Sequence, residues 1–281
     1  MLKVIHPGFY TTIQDAGRFG YRDIGVPVSG YMDAFAARFA NALLGNHPDD
    51  AVMEISLKGP TLKFGINTRA VTYGAEAQLK LDGEIRAHFI PFPIKAGQTL
   101  EIGNIEKGAR LYLALQGGFQ TEEILGSRSF YPEITHSAKL YKNQELMLKE
   151  TKVLPSGNAH LKHDNKILTT NLLAVLKGPE YDCLTAEMRK KIIDFTFHVG
   201  HENNRMAYKL EEKLSENKVD MLTSPTLPGT VQLTPSGGLM ILMRDAQTTG
   251  GYPRILQLTE AAINILAQKR EGDGIRFSLL N

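Results

Sequence analysis

Residues 244–253, with the sequence Arg-Asp-Ala-Gln-Thr-Thr-Gly-Gly-Tyr-Pro, offer the densest set of groups able to do chemistry. They directly follow the apolar run 239–243, which has the character of a buried strand. Charges, an amide and hydroxyls around two glycines add little to packing, whereas glycine allows φ > 0 or a close approach to a ligand. The segment is therefore one candidate binding site, although Thr and Asp side chains also build ordinary hydrogen-bonded turns.

A second polar cluster lies near the N-terminus, where Gln14, Asp15 and Arg18 precede Ser29 and Asp33. The planar guanidinium of Arg18 suits a carboxylate or a phosphate. Asp15 has three possible uses: holding Arg18, binding a divalent cation through water, or accepting a proton. Ser29 and Asp33 precede a helical pattern, and a helix N-terminus favours anions. The structural alternative is an Asp–Arg pair that fixes a loop, with Asp33 as an ordinary acid of the first turn.

A third candidate spans residues 198–205. His198, His201 and Glu202 suggest a metal, but their spacing matches no strong zinc motif, so Arg205 as an anion contact is favoured and no metal ligand is predicted. The sequence also lacks a phosphate-binding loop, a dinucleotide fingerprint and a nucleophile elbow. If this protein takes part in a reaction of ATP, the nucleotide is bound at a site without a recognisable motif or at a site of a partner.

The composition is that of an ordinary globular protein. The 281 residues are 42% apolar and 22% charged, with a net charge of +2, which gives no electrostatic case for nucleic acid or an anionic membrane as a partner. Cys183 is the sole cysteine, which excludes an internal disulfide and a cysteine-based zinc site. No run reaches membrane-spanning length and the start lacks the apolar core of a signal peptide, so a cytoplasmic location is expected.

The elements that position these groups are predicted to be mostly short strands. Asp82-Gly83 is a strong hairpin signal, and such frequent short strands favour antiparallel barrels or sandwiches. Apolar spacing predicts helices at residues 32–44, 184–195 and 259–269. The predicted strand runs are residues 71–73, 78–81, 85–89, 111–115, 231–233 and 239–243.

The chain is predicted to consist of two related halves. Residues 140–165 are polar and contain a Pro-Ser-Gly turn, so we place the boundary there, between residues 1–150 and 151–281. A weak internal repeat supports this division, because Leu-Lys-Gly-Pro occurs at residues 57–60 and again at 176–179.

Several motifs together resemble a known family. They are residues 11–20, residues 25–33, Gly126-Ser127-Arg128-Ser129, Asn204-Arg205-Met206, Gly229-Thr230-Val231-Gln232 and residues 245–253. In this order, over nearly the whole chain, they are similar to the KipA or allophanate hydrolase subunit 2 family of biotin-dependent carboxyltransferases, which includes the third subunit of 5-oxoprolinase. Residues 130–132 (Phe-Tyr-Pro) depart from the small, glycine-rich family pattern, and Ala207 and Lys209 stand where Gly and Arg are common.

The resemblance implies a mainly β fold with a few helices (α+β), in which each half, 1–150 and 151–281, is a cyclophilin-like β-barrel subdomain. It implies an ATP-dependent hydrolase that opens the 5-oxoproline lactam to L-glutamate, with ATP and Mg²⁺ as cofactors. The implied partners are a KipI-like subunit, which would bind this chain, and a LamB/YcsF-like subunit, which would complete the enzyme. Without them this chain is expected to be inactive.

The resemblance supplies positions to which we assign roles as hypotheses. Phosphorylating an amide oxygen makes a good leaving group, and cations then neutralise the transferring charge. The predicted catalytic residues are Asp15, Arg18, Arg205 and Asp245. The predicted substrate-binding residues are Gln14, Ser29, Asp33, Arg128, Gln232, Thr248, Thr249 and Tyr252.

Two other functions remain open at this point. One is a KipA-type regulatory protein that binds a KipI-like inhibitor of a histidine kinase. The other is transfer of a carboxyl group from carboxybiotin to urea or a similar amide. Met240 and Met243 do not flank a lysine, so a biotin carrier would be another chain.

Overall fold

The computed structural model of the chain describes residues 1–149, 166–217, 219 and 221–280, and it divides into two compact units. The described residues of the first unit fall within Met1–Arg18 and Ser29–Leu168. Those of the second fall within Phe19–Val28 and Thr169–Asn281, so a short N-terminal segment belongs with the C-terminal half. The predicted boundary between residues 150 and 151 lies outside the described residues and stays a prediction.

The first unit is built on an antiparallel sheet. Its strands among the described residues are β1 (Leu2–His6), β2 (Tyr10–Gln14), β3 (Val52–Ser56), β4 (Thr61–Phe64), β5 (Thr68–Leu81), β6 (Glu84–Ile85), β7 (Phe92–Ile94), β8 (Thr99–Leu115) and β9 (Glu145–Leu146). The order is β2-β3-β8-β4-β1-β9, with β5 pairing to β6, β7 and β8. The predicted runs 71–73 and 78–81 are parts of one strand, β5, whose pairing to β8 shifts register three times along its length. The unit is thus a half-barrel.

The hairpin after β5 forms as predicted. Asp82 and Gly83 take φ of +50° and +86°, and Leu81 pairs with Glu84. The predicted strand at 85–89 is wrong beyond Ile85. Past that point the chain folds back on β5, with the Phe89 amide donating to the Thr72 carbonyl at 3.0 Å.

Helix α1 (Ala34–Leu44) covers one side of this sheet. Asp33 caps its first turn, because a carboxylate oxygen accepts the Ala36 amide at 2.9 Å. Gly45 ends it in the left-handed conformation at φ +69°. The sequence predicted this helix at residues 32–44, and in the structure it begins two residues later.

The second unit contains a closed barrel. Its strands are β10 (Leu172–Lys177), β11 (Phe197–Asn203), β12 (Ala207–Lys213), β14 (Thr230–Leu233), β15 (Gly238–Leu242), β17 (Arg254–Leu258) and β18 (Gly274–Leu279), with a separate two-stranded ribbon of β13 (Ser224–Pro225) and β16 (Thr249–Gly250). Around the barrel the order is β10-β17-β14-β15-β12-β11-β18. The prediction of a mainly β fold with few helices is confirmed.

Three further α-helices occur within the described residues, α2 (Lys166–Thr169), α3 (Ala186–Asp194) and α4 (Glu260–Ala267), together with two short 3-10 helices at Arg22–Ile24 and Tyr181–Cys183. Helices α3 and α4 were predicted, and each begins at a threonine that accepts an amide of the first turn, Thr185 for α3 and Thr259 for α4. Helix α2 was not predicted. None of the helices in these residues is long and apolar enough to span a membrane.

The two halves of the sequence repeat place a glycine in similar surroundings. Gly59 follows β3 and Gly178 follows β10. A Cβ on Gly59 would lie closer than 3.0 Å to Ile102, and one on Gly178 closer than 3.0 Å to the Arg254 carbonyl oxygen. Both turns thus need a bare backbone, which supports the repeat but leaves common ancestry of the halves a prediction.

Gly178→Ala tests this constraint in the second unit. The added methyl group collides with the backbone of Arg254 and Ile255, so we expect the free energy of unfolding to fall by about 1–3 kcal/mol. Urea denaturation of the full chain measures it. Gly251→Ala is the control, since no atom lies within 4 Å of that position, and equal stability of the two variants would contradict the prediction.

Candidate functional site

The first unit gathers its polar residues around the carboxylate of Asp15, at the end of β2. The hydroxyls of Ser127 and Ser129 donate to Oδ1 at 2.5 and 2.7 Å, and the Gly17 amide donates to it at 2.9 Å. The Arg128 amide donates to Oδ2 at 2.5 Å. Four donors from the chain itself therefore occupy this carboxylate, and they tie the 126–129 loop to β2.

Gln14 and Arg18 reach the same loop. The Gln14 amide group donates to the Phe130 carbonyl at 3.2 Å, and Arg18 donates through Nη2 to the Ser129 carbonyl. Both side chains are essentially fully buried. The structure therefore brings three predicted site residues together, and their observed contacts hold the loop in place.

Ser29 lies in a strained and buried position of this unit. It adopts φ +55°, it is 1% exposed, and its hydroxyl has no hydrogen-bond partner in the part of the chain that the structure describes. The next residues pack on the Asp15 backbone, because a Cβ on Gly30 would lie closer than 3.0 Å to the Asp15 carbonyl oxygen, which also accepts the Tyr31 amide. Ser29 is thus placed near the Asp15 cluster, with its hydroxyl available.

Asp33 and a buried network that the sequence analysis missed fix the start of α1. The Glu54 carboxylate accepts the Met32 amide at 2.9 Å and the Tyr112 hydroxyl at 2.8 Å, with Arg110 at 3.8 Å. Burial raises the pKa of Tyr112, so the hydroxyl stays protonated and donates. Asp33 serves α1 as its cap, in agreement with the structural alternative. A glutamate inside the apolar strand 52–56 was the signal available in the sequence.

Arg128 carries the more accessible guanidinium among the predicted arginines. Its side chain is 26% exposed, whereas Arg18 and Arg205 are buried. It donates to the Thr121 carbonyl and lies 3.4 Å from the Glu123 carboxylate. Its backbone is fixed through Asp15 while its charge reaches the surface of the unit.

In the second unit Arg205 and Asp245 form a two-pronged ion pair. Nε lies 2.7 Å from Oδ2 and Nη2 lies 3.0 Å from Oδ1, with the two side chains 6% and 11% exposed. The Asp245 amide also donates to the Arg205 carbonyl at 2.9 Å. The two predicted catalytic residues therefore neutralise each other and join the 244–253 segment to the turn before β12.

Gln232 on β14 is fully buried, and neither atom of its carboxamide has a hydrogen-bond partner among the described residues. Gly250 lies directly over it, since a Cβ there would be closer than 3.0 Å to Nε2. Gly250 does not adopt a positive φ, so the idea that this glycine supplies a left-handed turn is wrong. It is needed because Gln232 approaches its backbone.

Thr226 fixes the predicted segment, and the sequence analysis missed it. Its amide donates to the Thr248 carbonyl at 3.0 Å and its hydroxyl to the Gln247 carbonyl at 2.7 Å. Arg22, also missed, donates to the Thr226 carbonyl. Thr249 and Tyr252 are exposed. The only sequence signal for Thr226 is the Ser-Pro dipeptide before it.

The third candidate separates into independent pairs. His198 lies 2.5 Å from Glu212, whose hydrogen bond and charge raise the pKa of the imidazole, and His201 lies 3.1 Å from Glu271. Glu202 pairs with Lys209. Across the described ranges no group of three or more His, Cys, Asp and Glu side chains is placed to hold a metal ion.

Comparison with known proteins gives consistent matches. Residues 24–279 match the family described as carboxyltransferase domain, subdomain A and B. The chain is 34% identical to a 5-oxoprolinase subunit of Escherichia coli (strain K12), over 99% of this chain and 90% of that protein.

Solved structures show the same architecture within longer chains. The crystal structure of TTHA0988 superposes with a TM-score of 0.88 at 28% identity, over 99% of this chain and 55% of that one. Urea carboxylase of Kluyveromyces lactis also gives 0.88 at 28% identity, over 100% of this chain and 27% of that one. This chain thus spans about half of the first protein and about a quarter of the second.

Asp15→Ala tests the role of the carboxylate as an anchor. It leaves the buried Ser127 and Ser129 hydroxyls without their acceptor, so we expect a loss of about 1–3 kcal/mol in the free energy of unfolding. Urea denaturation provides the measurement, with the exposed Asp23→Ala as the matched control. A loss no greater than that of the control would mean that the loop is held by other contacts.

A double-mutant cycle tests the contact between Gly250 and Gln232. Gly250→Ala alone forces the buried carboxamide to move and should cost about 1–2 kcal/mol of stability. In a Gln232→Ala background the same change should cost clearly less, because the carboxamide is gone and only the Thr226 methyl group, 3.2 Å from the added Cβ, remains close. Thermal denaturation of the four proteins gives the coupling, and additive effects would refute the contact.

Proposed function

The chain belongs to the family of carboxyltransferase domains, subdomains A and B, and we propose that it is one component of an ATP-dependent 5-oxoprolinase that opens the 5-oxoproline lactam to L-glutamate. The observation that carries this proposal is the 34% identity to a 5-oxoprolinase subunit over 99% of this chain and 90% of that protein. The proposed partners are two other chains of the enzyme, one KipI-like and one LamB/YcsF-like.

The reaction determines what the components must supply. An unstrained amide resists water, and transfer of a phosphoryl group to its oxygen creates a leaving group at the ring carbon. Cations that neutralise the transferring charge, and groups that hold the substrate still, are then the main requirements.

The two candidate acids, Asp15 and Asp245, do not fit a resident Mg²⁺ ion. Asp15 already accepts four hydrogen bonds, and Asp245 is paired through both oxygens with Arg205. Mg²⁺ is usually held by one or two carboxylates together with water and the phosphates of its nucleotide, and the oxygens of these two carboxylates already have partners. In the proposed complex ATP and its metal therefore belong to another chain, and this one contributes to substrate binding.

Arg128 is the side chain of the first unit best suited to bind an anionic group. Its backbone is fixed by the bond from its amide to Asp15, and its guanidinium is partly exposed beside Thr121 and Glu123. An arginine held in this way binds a carboxylate without losing much freedom. Arg205 is a poorer candidate because its charge is already compensated by Asp245.

Carboxyl transfer from carboxybiotin to an amide is the second candidate. It is favoured by the TM-score of 0.88 to urea carboxylase over 100% of this chain. Under this proposal the biotin carrier is another chain, and Arg128 binds the carboxylate of carboxybiotin.

Reconstitution with the KipI-like and LamB/YcsF-like chains distinguishes the two. ADP release and glutamate formation that depend on 5-oxoproline, and that vanish when this chain is omitted, are expected for the oxoprolinase. Activity that instead requires bicarbonate and a biotin carrier would favour carboxyl transfer. A stable complex with the KipI-like chain that turns over neither substrate would contradict both.

Arg128→Ala tests the site within that assay. A charge-assisted hydrogen bond contributes about 1.5–3 kcal/mol, so kcat/KM for 5-oxoproline should fall about ten- to a hundredfold with an unchanged melting temperature. Arg38→Ala removes an exposed arginine that pairs with Asp49 and is the control. Normal kcat/KM in Arg128→Ala would show that this residue takes no part in the reaction. Arg205→Ala is a poor probe, because it leaves the carboxylate of Asp245 without its partner and so lowers the stability of the fold.

A further inference from the structure

The carboxamide of Gln232 is a buried polar group whose hydrogen bonds are not made within the described chain. The residue is 0% exposed, and both Nε2 and Oε1 have no partner there. Buried amides in folded proteins are almost always paired, and an unpaired one destabilises the fold. A position that keeps such a group calls for a partner from outside the chain.

Three neighbouring side chains, those of Arg254, Thr226 and Gln257, already have other partners. Arg254, opposite Gln232 on β17, binds Glu180 through Nε and Nη2 at 2.9 and 2.7 Å, and the Pro225 carbonyl through Nη1 at 2.7 Å. The Thr226 hydroxyl donates to Gln247. Gln257, on the strand next to β14, is fully used by Thr230 and Pro228. Rotation of these groups would break one bond to make another.

A carboxamide presents an N–H donor and a carbonyl acceptor side by side. Its complement is an amide whose own N–H and carbonyl lie on the same side, which is the cis arrangement. Peptide bonds and open-chain secondary amides are trans and point these groups in opposite directions. A five-membered lactam is cis because the ring enforces it. The geometry of Gln232 therefore selects small cyclic amides over peptides.

We propose that Gln232 is the residue that recognises the cis-amide edge of the lactam, with Nε2 donating to the ring carbonyl and Oε1 accepting from the ring N–H. This rests on the proposed function, and it deepens it by naming the group that determines specificity. The ring carbonyl oxygen keeps its second lone pair for activation.

The β13–β16 ribbon lies over this residue. It is paired through two residues on each side, Ser224 with Gly250 and Pro225 with Thr249. Gly250 places its bare backbone over Nε2, and nothing lies within 4 Å of the Cβ position of Gly251. The proposal requires this short ribbon to move aside for the lactam, because the carboxamide is fully buried beneath Gly250.

Gln232→Met tests the proposal in the full chain without partners, because it keeps the length of the side chain and removes both polar atoms. We expect the melting temperature of the ligand-free protein to rise by about 2–4 °C, as for relief of one unpaired buried amide. 2-Pyrrolidinone should raise the melting temperature of the wild type, N-methyl-2-pyrrolidinone should not, and the variant should respond to neither. Gln232→Leu repeats the test if Met packs poorly.

Gln257→Met is the matched control on the neighbouring strand. Its carboxamide is satisfied, so this variant should lose stability and keep the response to 2-pyrrolidinone. If Gln232→Met is instead destabilised and the lactam response is unchanged, the carboxamide holds a structural water and the proposal is overturned.

Turnover in the complex with the two proposed partners separates this proposal from the proposed function. Gln232→Met should raise KM for 5-oxoproline at least tenfold. An unchanged KM overturns the role of Gln232 and leaves the oxoprolinase intact. The remaining outcome is that 2-pyrrolidinone raises the melting temperature only when Gln232 is present, while the complex does not hydrolyse 5-oxoproline. That result supports the lactam site and contradicts the proposed oxoprolinase activity.

Discussion

The Asp15 carboxylate is the interaction on which the polar half of the first unit depends. It joins the end of β2 to two serines that lie 112 and 114 positions later in the chain. Those serines are fully buried, so their hydroxyls need an acceptor that water cannot supply. One ionised group that satisfies several buried donors also gains from the low dielectric around it. The position of Arg128 follows from this contact, because its own amide is one of the four donors.

Local chemistry made much of the fold predictable. The hairpin at Asp82-Gly83, and the caps at Thr185, Thr259 and Gly45, are decided by a few adjacent residues, so the sequence contains all the information needed. Strand lengths were less predictable. The runs at 71–73 and 78–81 look separate in the sequence because β5 changes its pairing register with β8 between them. The register depends on both strands, so it cannot be read from β5 alone.

The residues of the candidate sites were recognisable by type, but their roles were not. Asp245 looks like a free acid in the sequence, yet its partner Arg205 lies 40 positions earlier, and only the fold makes them a pair. Gly250 was noticed as a glycine that allows either φ > 0 or a close approach to a ligand, but φ is not positive there and the group that approaches it is Gln232, on another strand of this chain. Glu54 was visible as a charge within an apolar strand, whereas its partners Met32 and Tyr112 required the structure. Pairing between distant residues is the information that a single sequence lacks.

The two units use buried polar groups in opposite ways. The Asp15 carboxylate accepts four hydrogen bonds, and this network holds the 126–129 loop rigidly while the neighbouring Ser29 hydroxyl has no partner among the described residues. Gln232 is buried to the same degree with none of its bonds made, at a cost in stability that packing alone would not retain. Binding sites are where proteins tolerate this kind of cost, because the missing bonds are completed by the ligand. An apolar side chain at position 232 would suit the barrel better, so the amide is best explained by what it binds.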